Sequence, residues 1–151
     1  EWKDLDDLDL ELLDYEKHAQ MKNYVKHLNQ FYLNQPSLWE LDHEDKGFNW
    51  IDANNNQQSI IVFMRKGKEE GDFLVAVCNF TPAYYGDYKI GVPKEGEYEE
   101  IFNSDGEEYG GSGKKNTGLM STAAEKWHNQ PYHINLEIPP LALIVLRKKE
   151  E

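Results

Sequence analysis

Gly110-Gly111-Ser112-Gly113-Lys114 lies in the glycine-richest stretch of the chain, residues 102–118, and glycines followed by a lysine are the raw material of a phosphate cradle. A Walker loop needs a glycine five positions before its Gly-Lys pair and a Ser or Thr after it. Glu108 stands at the first of those positions and Lys115 at the second, so a nucleotide phosphate has nothing to wrap it. The dinucleotide pattern fails as well, because Asn116 occupies the place of its third glycine. The stretch therefore reads as a surface loop whose glycines supply positive φ angles.

Other chemistry is equally hard to assemble. Paired carboxylates work as acid and base only when burial tunes them apart, and the acidic residues here sit in solvated runs and turns. His43-Glu44-Asp45 lacks the second histidine of a zincin helix, and His128 and His133 flank a turn containing Pro131. Ser112 has no strand-to-helix elbow to present it as a nucleophile. Cys78 is alone inside the apolar run Phe73–Phe80, so it reads as an inert thiol with no internal disulfide. Asn79-Phe80-Thr81 matches a glycosylation sequon and is expected to be idle. No catalytic residue, metal site or cofactor is expected.

Aromatic side chains are left. Sugar rings present apolar C–H faces that stack on exposed Trp or Tyr, while polar neighbours bind the hydroxyls. Residues 47–56 have that form, with Phe48 and Trp50 on one strand face and Asp52, Asn54, Asn55 and Asn56 nearby. A core-facing pair is the commoner use of such spacing. Trp39 and Trp127 are expected to pack against the sheet or the helix.

The elements that would hold these residues differ in period. From Tyr15 to Leu33 apolar residues recur at helical spacing (Tyr15, His18, Met21, Val25, Leu28, Tyr32), and Asn34 and Pro36 stop the run. This helix carries more aromatic surface than one sheet edge needs. After Gly47 come strand-like segments at 59–65, 73–80, 88–92, 97–102, 132–138 and 141–148, broken by Gly and Pro, which predicts an antiparallel β-sandwich. The 151 residues suit a single packed unit of this size, and the net charge of −12 argues against nucleic acid and anionic membranes as partners. The opening residues are not those of a secretory leader, and a cytoplasmic location is expected.

An ordered series of segments carries a resemblance: Leu13–His18, Leu28–Asp42, Gly47–Asp52, Val77–Pro82, Tyr88–Asp105, Tyr109–Gly113 and Ile138–Leu146. Together they resemble the C-terminal part of bacterial glycogen branching enzymes, the 1,4-α-glucan branching enzymes of the α-amylase superfamily. The resemblance implies a mainly all-β, Greek-key-type sandwich over 46–151, preceded over 1–45 by the tail and final helix of a truncated (β/α)8 barrel. It implies a parent that cleaves α-1,4 bonds and transfers the glucan chain to a 6-hydroxyl, with its catalytic carboxylates upstream of Glu1 and this portion inactive alone. The implied partners are an α-glucan, touched by Trp50 and more weakly by Asp14, and the missing barrel of the same chain. Without the barrel, self-association through the exposed helix 15–33 or disorder of residues 1–14 is expected. A free-standing glucan-binding module and a purely structural domain are the alternatives.

Overall fold

The structure, a computed structural model, describes residues 9–150. A 3-10 turn, Leu10–Asp14, leads into helix α1, Glu16–Asn34, within a residue of the expected bounds. Pro36 ends the helix region and opens a second 3-10 turn, Pro36–Leu38, since its ring and missing N–H forbid another helical bond. The disorder expected for residues 1–14 does not hold for Leu10–Asp14, which form a turn; residues 1–8 of that stretch lie outside the described residues.

Eight strands follow: β1 Phe48–Asn55, β2 Ile60–Lys66, β3 Phe73–Asn79, β4 Tyr85–Val92, β5 Glu97–Asn103, β6 Met120–Ser121, β7 Tyr132–Ile138 and β8 Leu143–Lys148. They form a six-stranded sheet in the order β1-β2-β3-β8-β5-β6 and a two-stranded sheet of β4 and β7, every ladder antiparallel. The chain passes between the sheets from β3 to β4 to β5 and again from β6 to β7 to β8, the interleaving expected of a Greek-key-type sandwich.

Strand texture follows from which faces are covered. β7 alternates because its core face is apolar: Ile134, Leu136 and Ile138 enter the core, while on the other face Asn135 meets water and His133 is covered where Ala123 pairs with it. β3 is apolar from Phe73 to Cys78 because it is covered twice. Phe73, Val75 and Val77 join the core between the sheets, while Leu74 lies on the outer face under α1. Tyr98 is fully buried in that core, and its hydroxyl donates to Lys94 O at 2.9 Å.

Helix α1 lies across the outer face of the six-stranded sheet rather than along its edge. Tyr24, Leu28 and Phe31 pack on Leu74, Phe102 and Val145, with the Phe31 and Phe102 rings 4.9 Å apart. A flank of the helix remains bare: Met21, Val25 and Tyr32, beside the row that meets the sheet, and Leu33 on the opposite side are all exposed. The surplus of apolar surface expected from the sequence is thus partly used and partly open.

Of residues 102–118, expected as a surface loop, Phe102 and Asn103 complete β5 and the loop runs from 104 to 118, with Gly110, Gly113 and Gly118 at φ of 83°, 74° and 94°. The Asp105 carboxylate accepts the Ser112 N–H and hydroxyl, which fixes the bend. The loop also buttresses the helix. Tyr109 sits edge-on to Tyr24 at 5.3 Å, and its hydroxyl lies 3.0 Å from His27 Nδ1.

Candidate functional site

Trp50 is on β1, the edge strand of the larger sheet, and its side chain points outward with 55% of its surface exposed. The core-facing use of the Phe48/Trp50 spacing is not the one adopted, because the inward position goes to Ile51. Phe48 lies edge-on to the indole at 4.9 Å and Phe63 of β2 at 6.1 Å, so two rings fix the orientation of the third.

Trp50 begins a row of cross-strand partners that runs Trp50, Phe63, Ala76, Val145, Phe102 across the sheet. Four strand spacings of about 4.8 Å make the row roughly 19 Å long. Its far end lies under α1. Between helix and sheet the row floors an apolar trough of about 330 Å³, walled by Leu28, Phe31, Tyr32 and Leu38. Arg65 closes one end, donating to Leu38 O at 2.9 Å and Asp42 Oδ1 at 2.6 Å.

The polar neighbours expected beside Trp50 go elsewhere. A register shift between Trp50 and Asp52 turns the Asp52 carboxylate away from the indole, toward His128 Nε2 at 3.4 Å. Asn55 donates to the Tyr88 hydroxyl at 2.7 Å and to Gln58 Oε1, a structural role inside the β1–β2 connection. Asn54 and Asn56 are exposed. Asp14, the other residue expected at a glucan contact, is exposed at the end of the 3-10 turn before α1. The 19-residue helix, about 28 Å long, carries the chain from Asp14 to the Tyr32 end that borders Phe63. Asp14 and Trp50 are not brought together.

Trp39 and Trp127 do not pack as expected; they are 42% and 39% exposed. Trp39 follows the 3-10 turn at the surface, and Trp127 opens a two-residue turn in which His128 and Asn129 both have positive φ. That turn is pinned by His128. Its Nδ1 accepts the Gly91 N–H at 3.4 Å, which places the ring proton on Nε2, facing Asp52. Nothing in the local sequence around residues 127–130 signals this pairing, since it depends on a bulge some seventy-five residues upstream.

Burial pushes the His128 imidazole below its ordinary value of about 6.5, against the upward pull of the Asp52 carboxylate. As pH falls, the unfolded chain takes up a proton at this site before the folded chain does. The contribution of His128 is therefore complete above about 6.5 and is lost as pH drops through the folded value. Urea midpoints at pH 7.5 and pH 5 are expected to differ less in His128→Asn, which tolerates the positive φ, than in the unsubstituted chain. An unchanged difference would remove His128 from the pH response.

Two chemical groups thus end where the sequence left them idle. The Asn79 side chain is buried and fully engaged, so the sequon offers no free amide. Burial raises the Cys78 thiol above its ordinary range, the direction of an unreactive cysteine. What the surface does present is a fixed indole, an apolar trough and a bare helix face. This is an antiparallel β-sandwich module. The alpha amylase C-terminal all-beta domain family matches residues 50–149, and the chain belongs to it. It is 51% identical over 147 residues to the 1,4-alpha-glucan branching enzyme GlgB of Halothermothrix orenii and 52% identical to that of Bacillus cereus strain G9842. Each alignment covers 97% of this chain but only 23% of the relative, so the chain spans about a quarter of the length of these proteins.

Proposed function

We propose that the chain is the C-terminal region of a cytoplasmic 1,4-alpha-glucan branching enzyme, with residues 1–45 the tail and last helix of its catalytic (β/α)8 barrel and 46–151 the sandwich. The observation that carries this reading is the alignment of 97% of the chain with branching enzymes at 51% identity. The exposed Met21, Val25, Tyr32 and Leu33 of α1 suit a face that the barrel covers in the whole protein. In isolation that same face is the one through which copies would associate. No helix among the described residues is long and apolar enough to cross a membrane, which agrees with this placement.

The region does no bond-making itself. It steadies the barrel and holds long glucan chains, with Trp50 as the stacking surface and Asp14 a weaker contact near the barrel side. Electrophoresis in gels containing glycogen tests the contact. The chain is expected to be retarded, and Trp50→Ala to bind roughly tenfold more weakly, a loss of about 1.4 kcal/mol. Asp14→Ala is expected to lose less. Identical migration of Trp50→Ala and the unsubstituted chain would end the assignment. Incubated with amylose, the purified chain is expected to form no α-1,6 branch points; their appearance would overturn the non-catalytic reading.

A further inference from the structure

The outer face of the two-stranded sheet is built differently from the rest of the surface. Inward positions of β4 and β7 are apolar, whereas Asp87, Lys89 and Asn135 face outward, Lys89 directly across from Asn135. The Asn135 amide donates to Asp87 Oδ1, so these planar polar groups are held in place rather than left to wave. An exposed aromatic ring stands at each end of the strip. At one end is Trp127, fixed by its tight turn, with Lys89 Nζ 4.8 Å from the ring centroid and paired to Glu125 at 3.1 Å. At the other is Tyr84, whose hydroxyl donates to Glu137 Oε2 at 2.7 Å while Lys114 Nζ lies 3.8 Å over its ring.

Each ring is thus backed by a lysine on one face and is 39% or 41% exposed overall, so surface for stacking remains. The charges along the strip are of both signs: Asp87, Glu125 and Glu137 against Lys89 and Lys114. Such a surface offers donors and acceptors with its charges nearly balanced, which suits a neutral polyhydroxylated ligand better than an anion or a cation. From Tyr85, next to Tyr84, to Lys89 is about 13 Å along β4, the reach of an oligosaccharide rather than a single sugar.

We propose that this strip is a second carbohydrate-binding surface, separate from Trp50, on which a linear oligosaccharide lies with Trp127 and Tyr84 as stacking ends and Asp87, Lys89 and Asn135 bonding its hydroxyls. The choice of an α-1,4-glucan as that oligosaccharide rests on the function proposed above. Trp50 projects from the outer face of the larger sheet and this strip from the outer face of the smaller one, so one glucan particle could be gripped from two sides of the sandwich.

Indole N–H resonances of the 15N-labelled 151-residue chain separate the possibilities, with Trp50→Phe and Trp127→Phe supplying assignments. Titration with maltoheptaose is expected to shift the Trp127 indole saturably, and to do so equally in Trp50→Ala. The pair Trp127→Ala and Tyr84→Ala, placed in the Trp50→Ala background, is expected to weaken the remaining binding by at least about tenfold. A Trp50 indole that moves while Trp127 stays still overturns the strip and leaves the Trp50 assignment standing. A Trp127 indole that moves alone supports the strip and removes Trp50. Silence from both overturns both, and an equal response to cellohexaose overturns the choice of α-glucan.

Discussion

Asn79→Ala is expected to lower the unfolding free energy by roughly 3–5 kcal/mol, a large fraction of the 5–15 kcal/mol that holds a domain of this kind together. Asn79 ends β3 and is only 2% exposed. Its Nδ2 donates to Ala83 O and to Pro139 O, both at 2.8 Å, and its Oδ1 accepts from the Thr81 N–H at 3.0 Å and the Thr81 hydroxyl at 2.8 Å. One side chain therefore ties the turn after β3 to the turn between β7 and β8. Alanine leaves the Ala83 and Pro139 carbonyls and the Thr81 N–H and hydroxyl without this partner, the Pro139 bond being buried and the others partly so, and each orphaned group costs up to about 1–3 kcal/mol. Asn79→Asp is expected to be damaging too, because it keeps the acceptor and loses both donations. Urea denaturation monitored by tryptophan fluorescence measures both. A loss under about 1 kcal/mol for Asn79→Ala would mean that water replaces the amide.

The period of the sequence was enough to place α1, the sandwich and most strand ends, because those depend on which faces are buried. Features set by single long-range contacts were not legible. β4 begins at Tyr85, earlier than the run Tyr88–Val92 suggests, because Tyr85 pairs with Ile138 before a register shift. The bulge after Trp50 is invisible in Trp50-Ile51-Asp52, yet it decides that Asp52 faces His128 and not the indole. Alternation alone would have put Lys89 and Asn135 on one polar face, the signal by which the strip on the smaller sheet could have been found. Trp127 carried no such signal, since its exposure follows from a turn with two positive φ angles at His128 and Asn129.

Phe102→Ala is expected to cost about 3–5 kcal/mol and, unlike other core lesions, to release the helix selectively. Phe102 is 8% exposed on β5 and touches three aromatic rings: Phe31 at 4.9 Å, Tyr24 at 6.2 Å and Tyr109 at 6.4 Å. Helix α1 has no fully buried residue of its own, so its hold on the sheet depends on this one patch and on the loop that carries Tyr109. Removing the central ring leaves a helix with one weakened face and one bare face, and a protein helix draws most of its stability from the packing of such a face rather than from propensity. Amide exchange is expected to accelerate throughout Glu16–Asn34 while β2 and β3 stay protected. Ile144→Ala, a lesion in the core between the sheets, is expected instead to lower protection everywhere together. If Phe102→Ala opens helix and strands in step, α1 is an integral layer of the sandwich. If the helix opens alone, it is a separable element whose second face awaits another partner, which is the behaviour required of the last helix of a barrel.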